Sequence, residues 1–210
     1  VMDGTSAIFL GLAAYLLATI SPGPATLAIM ATSAHRGRQA GLQLASGIFC
    51  GSIFWGLCAA FGLATVMSQF AGAFVALKIA GGLYLLWLAF KALRSAFKPQ
   101  ASLEARQIRS SKSYYLQGLA IHLTNPKAVL AWVAILSVGV QPGAPIWQTV
   151  AMFAGCAMLG FAVFGGYALL FSTQRAQTLY LAARRPIDAV VGVLFGAAGL
   201  KLVLDGRTAG

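Results

Sequence analysis

The chain has 210 residues, of which 59% are hydrophobic and only 9% are charged, and its formal net charge is +11. This composition excludes an ordinary soluble globule, because the polar residues are too few to cover its surface. Stretches of about 20 apolar residues, the length that crosses a bilayer, recur along nearly the whole chain. The sequence therefore predicts an all-α, polytopic membrane protein.

The apolar stretches predict six transmembrane helices, separated by turns or by clusters of charge. Their predicted ranges are 6–32, 41–66, 70–92, 114–138, 147–172 and 187–204. The first stretch has no basic segment before it and is longer than the apolar core of a signal peptide. We therefore expect it to be a retained helix and not a cleaved leader.

The basic residues lie beside helix ends, in alternate loops. They cluster at residues 35–38, 91–112 and 175–185, whereas the loops between these clusters carry no charge. Because positively charged loops stay in the cytoplasm, this alternation predicts that both termini lie outside, in the periplasm or extracellular space. The same distribution argues against a nucleic-acid partner and favours contact with anionic membrane lipid.

The two halves of the chain resemble each other, which predicts an internal repeat. Ser21-Pro22 interrupts the first predicted helix, and Asn125-Pro126 interrupts the fourth at the corresponding place. The segment GLYLLWLAFKAL at 82–93 also resembles GVLFGAAGLKLV at 192–203. Inverted repeats with broken helices at matching positions are typical of secondary transporters.

The odd number of helices in each half predicts two inverted three-helix repeats. The expected organisation is a first repeat at 1–93, a basic cytoplasmic linker at 94–113 and a second repeat at 114–210. Gly47 and Gly51 form a G-x-x-x-G pair that lets helix backbones approach closely. We expect such pairs to pack helices within one chain, with homodimerisation as the alternative.

The two proline breaks predict a binding site near the middle of the membrane. Serine and asparagine are preferred N-cap residues, so Ser21 and Asn125 are each expected to cap a new helix. Pro22 and Pro126 suit the first position of that helix. Each new helix would direct backbone N–H groups and the positive end of its dipole into the protein. Irregular backbone at this depth is tolerated only inside protein or beside a wet cavity. Two such ends together fit an anionic group such as a carboxylate.

Three ionisable side chains in the predicted helices are further site candidates. Lys127 follows the second break directly, and a lysine within the membrane is costly enough to suggest a functional role. The alternative is that Lys127 pairs with backbone carbonyls or snorkels. His122 is either a packing residue or a group that titrates near neutral pH. Lys78 either snorkels or lines the pathway.

The sequence lacks the residue patterns of enzymes and metal sites. Predicted helices one to five contain no Asp or Glu, which disfavours a metal exporter and a carboxylate proton relay. There is no nucleophile set beside a base, no metal-ligand cluster and no glycine-rich phosphate loop. Cys50, Cys58 and Cys156 form no C-x-x-C and are expected to be small buried residues. We therefore predict neither an enzyme nor a bound cofactor.

Three motifs resemble those of the LysE/RhtB family of amino-acid exporters. They are SPGPATL at 21–27, LKIAGGLYLLWLAFKALR at 77–94 and LTNPKAV at 123–129, and the resemblance extends over nearly the whole chain. It implies secondary-active efflux of amino acids or close derivatives across the bacterial cytoplasmic (inner) membrane, driven by the proton gradient or the membrane potential rather than by ATP.

The resemblance also implies which residues bind the substrate. These are Ser21, Pro22, Gly23 and Pro24 in the first motif, and Asn125, Pro126 and Lys127 in the last. The candidates for coupling or for lining the pathway are His122, Lys78 and Ser52. Ser52 is included because some family members carry an aspartate after a glycine in helix two, where this chain has Gly51-Ser52.

The expected substrate is a small zwitterionic amino acid whose carboxylate is held by the half-helix ends and Lys127. A cationic amino acid fits less well, because the predicted core has lysines and no acid. Neutral side chains of the leucine, threonine or homoserine type are expected. The alternatives are a membrane thiol–disulfide electron carrier, which needs cysteines placed to pair beside the breaks, and a non-transporting membrane scaffold.

Overall fold

The computed structural model describes residues 4–69, 71–97, 113–140 and 144–207. These ranges contain helices and no strand, which confirms the all-α class for this part of the chain. The helices are α1 Gly4–Ile20, α2 Pro24–Gln69, α3 Ala71–Ala96, α4 Tyr114–Leu123, α5 Pro126–Gly139, α6 Ile146–Leu170 and α7 Gln174–Arg207.

Several helices have the length and surface of membrane spans. Segments of α2, α6 and α7 are each long and apolar enough to cross a bilayer, and α4 with α5 forms a fourth candidate that is bent by 61°. α1 is a shorter apolar helix. Large apolar side chains on the outside of α6, such as Met158 at 74% exposure and Phe161 at 70%, form a surface that lipid would cover. The chain is thus a multi-pass membrane protein.

The loop predicted between the first two helices is absent, because α2 continues through it. A single residue, Gly37, departs from helical geometry there, with φ of 83° and ψ of 175°. Glycine adopts this positive φ without the steric cost that a Cβ would bring. α2 therefore consists of two helical segments joined at Gly37.

α7 begins at Gln174 and not at residue 187 as the hydropathy predicted, and it continues through Pro186. The arginines that suggested a loop lie in this additional helical segment, which agrees with the good helix propensity of arginine. Asp188 therefore lies inside a long helix instead of at its start. Most of the predicted linker, residues 98–112, lies outside the described residues.

Glycines allow close packing between helices of the same chain. A Cβ added to Gly47 would overlap the main chain of Tyr115, and one added to Gly118 would overlap the Leu44 carbonyl, so α2 and α4 approach backbone to backbone. α3 packs along α7, while α5 contacts α1, α2 and α3. The G-x-x-x-G pair of α2 thus serves packing within the chain, as expected.

Candidate functional site

The helix that follows the first break begins at Pro24, and not at Pro22 as predicted. The N–H of Ser21 still donates to the Leu17 carbonyl at 2.9 Å, so Ser21 extends α1 and does not cap α2. The Gly23 carbonyl accepts the first helical hydrogen bond of α2, also at 2.9 Å. The N-cap is therefore Gly23, and the prediction that Ser21 takes this role is wrong.

The start of α2 is held by a reciprocal pair of hydrogen bonds. The N–H of Gly23 donates to Thr26 Oγ1 at 2.9 Å. The same hydroxyl lies 3.2 Å from the Gly23 carbonyl, to which it can donate. These contacts fix the turn between α1 and α2 at a place where the backbone would otherwise lack helical partners.

The second break has the geometry that the sequence predicts. Asn125 is the N-cap of α5, and its Oδ1 accepts from the N–H of Lys127 at 3.1 Å. Pro126 occupies the first helical position, where no N–H is needed. On the other side of the break, α4 ends at Leu123.

Lys127 joins the two breaks directly. Its Nζ donates to the carbonyl of Ser21 at 3.1 Å, so a charged group from α5 binds a carbonyl at the end of α1. The hydroxyl of Tyr167 donates to the neighbouring carbonyl of Ile20 at 2.8 Å. Gly23 leaves room for the ammonium, because an added Cβ would lie 3.2 Å from Lys127 Nζ. Pairing with a backbone carbonyl was the alternative for Lys127, and here it occurs beside a cavity.

A cavity lies between the breaks, with about 470 Å³ of space free of protein atoms when its open mouth is included. Of the residues proposed from the sequence, those that line it are Ser21, Gly23, Ser52, His122, Asn125 and Lys127. The three prolines of the motifs shape the breaks without lining the cavity. The side chain of Lys78 lies outside the described residues.

One wall of the cavity is aromatic and is organised by Ser52. The indole Nε1 of Trp132 donates to Ser52 Oγ at 3.1 Å, and the Tyr15 hydroxyl lies 3.4 Å from the same oxygen. The rings of Tyr15 and Trp132 are 5.1 Å apart between centroids. Sequence reasoning missed Tyr15, although its spacing of four from Thr19 places both on one face of α1.

His122 lies on α4, shortly before the second break. It is 6% exposed, its ring meets Phe164 edge to face at 5.9 Å, and its Nδ1 has no hydrogen-bond partner in the described structure. Among the described residues that line the cavity, Lys127 and His122 are the basic side chains, and none is a carboxylate. The site therefore favours an anionic group.

The cysteines do not form a redox site in the described part of the chain. Cys156 is buried in α6, but Cys50 and Cys58 are exposed on α2, so the expectation that all three are buried is wrong for those two. All three are free, and none lines the cavity. These positions disfavour a thiol–disulfide electron carrier.

Comparison with known proteins gives consistent matches along almost the whole length. A family described as LysE type translocator matches residues 16–206. The threonine efflux protein of Escherichia coli K12 is 30% identical over 194 residues, which cover 91% of this chain and 94% of that protein. The uncharacterized membrane protein YahN of the same organism is 29% identical over 208 residues, covering 99% and 93%. No solved structure matches the chain.

Proposed function

Because the chain belongs to the LysE type translocator family, we propose that it exports a small amino acid, or a close derivative, across the bacterial inner membrane. The observation that supports this most is the Lys127 ammonium, which lies 3.1 Å from the Ser21 carbonyl between two broken helices. The similarity to threonine efflux proteins points to the same class of substrate.

The substrate carboxylate would take the place of the Ser21 carbonyl as the partner of Lys127. A carboxylate binds an ammonium more strongly than a neutral carbonyl does, because both partners are charged. The N-terminal ends of α2 and α5 add positive partial charge at the same place. Binding thus replaces a contact within the protein by a stronger one to the substrate.

The remaining walls favour a neutral side chain. The lining contains the small residues Ala18, Ala128 and Ala131 as well as the aromatic ring of Trp132. A second positive charge on the substrate would meet Lys127 and no carboxylate in the cavity lining, which is unfavourable. We therefore expect amino acids of the threonine, homoserine or leucine type.

The arrangement of helices supports six spans in two inverted repeats. α1 with the first segment of α2 would form the first span, and α4 with α5 the fourth. α3 and α7 run antiparallel, since Gly82 approaches Gly199 while Leu93 approaches Gly192. An inverted repeat requires this antiparallel pairing of third helices. We infer from the basic clusters that both termini lie outside, and we propose that a proton gradient or the membrane potential drives export.

The experiment that tests this proposal measures intracellular amino acids in bacteria fed with dipeptides. Cells expressing the wild type should hold less of one or a few amino acids than cells with an empty vector. Lys127→Ala should restore the accumulation. Lys201→Ala is the matched control, because Lys201 is exposed on α7, and it should behave as wild type. Immunoblots of membrane fractions verify equal insertion.

Two results would contradict the proposal. One is that no amino acid or derivative differs between wild-type and empty-vector cells despite confirmed insertion, which would favour a non-transporting scaffold. The other is that Lys127→Ala exports as well as the wild type, which would show that the two breaks do not form the substrate site.

A further inference from the structure

α7 carries a carboxylate outside the cavity lining. Asp188 is 1% exposed and is the one acidic residue among the side chains that the structure describes. A buried charge is costly unless it is paired and hydrogen-bonded. Hydropathy does not predict this burial, because the predicted start of the helix placed Asp188 next to a polar loop.

The partner of Asp188 is Arg184, one helical turn earlier. Arg184 Nε lies 3.6 Å from Asp188 Oδ2, which is an ion pair at the long end of the range. Neither atom has a hydrogen-bond partner in the described structure. Arg184 Nη2 also donates to Ser95 Oγ on α3 at 3.3 Å. The Oδ2 atom is thus buried and only weakly held.

Groups from the neighbouring helices act electrostatically on this carboxylate. They are Lys127 on α5, Tyr167 on α6, and Tyr180 and Arg184 on α7. The Lys91 cation on α3 repels the Lys127 ammonium, whereas the Asp188 carboxylate attracts it. Tyr180 lies on the same face of α7 as Arg184 and Asp188, and Tyr167 packs against its cluster. Since the Tyr167 hydroxyl binds the Ile20 carbonyl at the first break, these contacts connect the region of Asp188 with the substrate site.

We propose that Asp188 binds the proton that is exchanged for the exported amino acid, an inference that rests on the proposed function. While Asp188 is ionised, its negative charge stabilises the buried ammonium of Lys127, which then holds the substrate carboxylate. When a proton from the outer side binds Oδ2, Lys127 loses this countercharge and releases the carboxylate more readily. Proton and substrate therefore compete, as exchange requires.

The cycle closes when the proton leaves to the cytoplasm and the Arg184 pair forms again. Pro186 lies between the two partners in α7 and has no N–H to donate to the Ala182 carbonyl. The helix is therefore weakened at the place where the pair opens and closes. One proton would enter for each amino acid that leaves.

Transport in proteoliposomes separates coupling from binding. Two fluxes are measured with threonine: exchange of labelled for unlabelled threonine without a gradient, and accumulation driven by an imposed proton gradient. Asp188→Asn should retain exchange, with a higher KM for threonine because Lys127 lacks its countercharge, and should lower accumulation by about tenfold or more, the size of a typical coupling between two sites. Asp188→Glu should restore accumulation. Asp205→Asn, at the far end of α7, is the matched control and should resemble the wild type.

Two transport outcomes would overturn the proposal. Asp188→Asn could keep full gradient-driven accumulation, which would show that the proton binds elsewhere. It could also lose exchange and accumulation together without rescue by Asp188→Glu, which would show a structural role.

Infrared spectroscopy tests proton binding without any transport. The chain has only four acidic residues, so the carbonyl band of a protonated carboxylic acid is simple to assign. On acidification, the component of this band that belongs to a buried acid should appear in the wild type and in Asp205→Asn and be absent from Asp188→Asn. An unchanged band in Asp188→Asn would refute proton binding at this residue. A wild type that shows the Asp188 band and moves no amino acid would instead refute the export function, and with it the exchange.

Discussion

Removing the hydroxyl of Ser52 should leave a buried indole without a hydrogen-bond partner. Trp132 is 2% exposed, and its Nε1 donates to Ser52 Oγ at 3.1 Å. In Ser52→Ala this donor keeps its desolvation cost and loses its acceptor, which destabilises the protein by about 1–3 kcal/mol. For a chain of this size each kcal/mol lowers the Tm by about 2–4 °C. We therefore expect a clear decrease in Tm.

The assay is thermal unfolding of the purified protein in detergent, followed by circular dichroism. Ser46→Ala is the matched control, because Ser46 lies on the same helix and its hydroxyl donates to the Gln43 carbonyl in an exposed position. Its cost should stay within about 0.5 kcal/mol, as for most surface substitutions.

A double-mutant cycle identifies the hydrogen bond as the cause. In a Trp132→Phe background no N–H remains to be orphaned, so Ser52→Ala should cost less there, by about 1 kcal/mol. Equal costs of Ser52→Ala in the two backgrounds would refute the reasoning, because the loss would then come from something other than the Trp132 contact.

Two further predictions concern packing and capping. Gly118→Ala places a Cβ against the Leu44 carbonyl and should destabilise the protein by about 1–3 kcal/mol. Gly165→Ala, where the new Cβ would meet no packing neighbour within 4 Å beyond the adjacent helix backbone, should be neutral or stabilising. Equal Tm values for the two variants would contradict the close approach of α2 and α4. Asn125→Ala removes the N-cap of α5 and should cost about 1 kcal/mol, and Asn125→Ser, which keeps an acceptor, should recover most of this loss in the same unfolding assay.

The sequence predicts the breaks well because proline and its neighbours act locally. Asn125-Pro126 appears as predicted, with the side chain as cap. The first break is displaced toward Pro24 because its motif contains two prolines, and only the hydrogen bond of the Ser21 N–H shows which of them begins the new helix. Either proline could begin the helix, so the residue pattern alone does not decide between them.

The burial of Asp188 is not predicted either, because hydropathy alone does not show which helix faces are packed. Hydropathy places a helix end where charges begin, so Arg184 and Arg185 moved the predicted start of the last helix to residue 187. The charged segment is nevertheless helical and packs along α3, where Asp188 is buried. Hydropathy measures the composition of a segment, whereas burial depends on which face meets a neighbouring helix.

The central claim is that Lys127 and the two breaks bind the carboxylate of the exported amino acid. The most direct test is competition in proteoliposome exchange between labelled threonine and unlabelled threonine or threoninamide, which lacks the carboxylate. The loss of one charge-assisted hydrogen bond of about 1.5–3 kcal/mol predicts that threoninamide competes at least about tenfold more weakly. Equal competition by threonine and threoninamide would contradict the account, because the site would then not recognise the carboxylate.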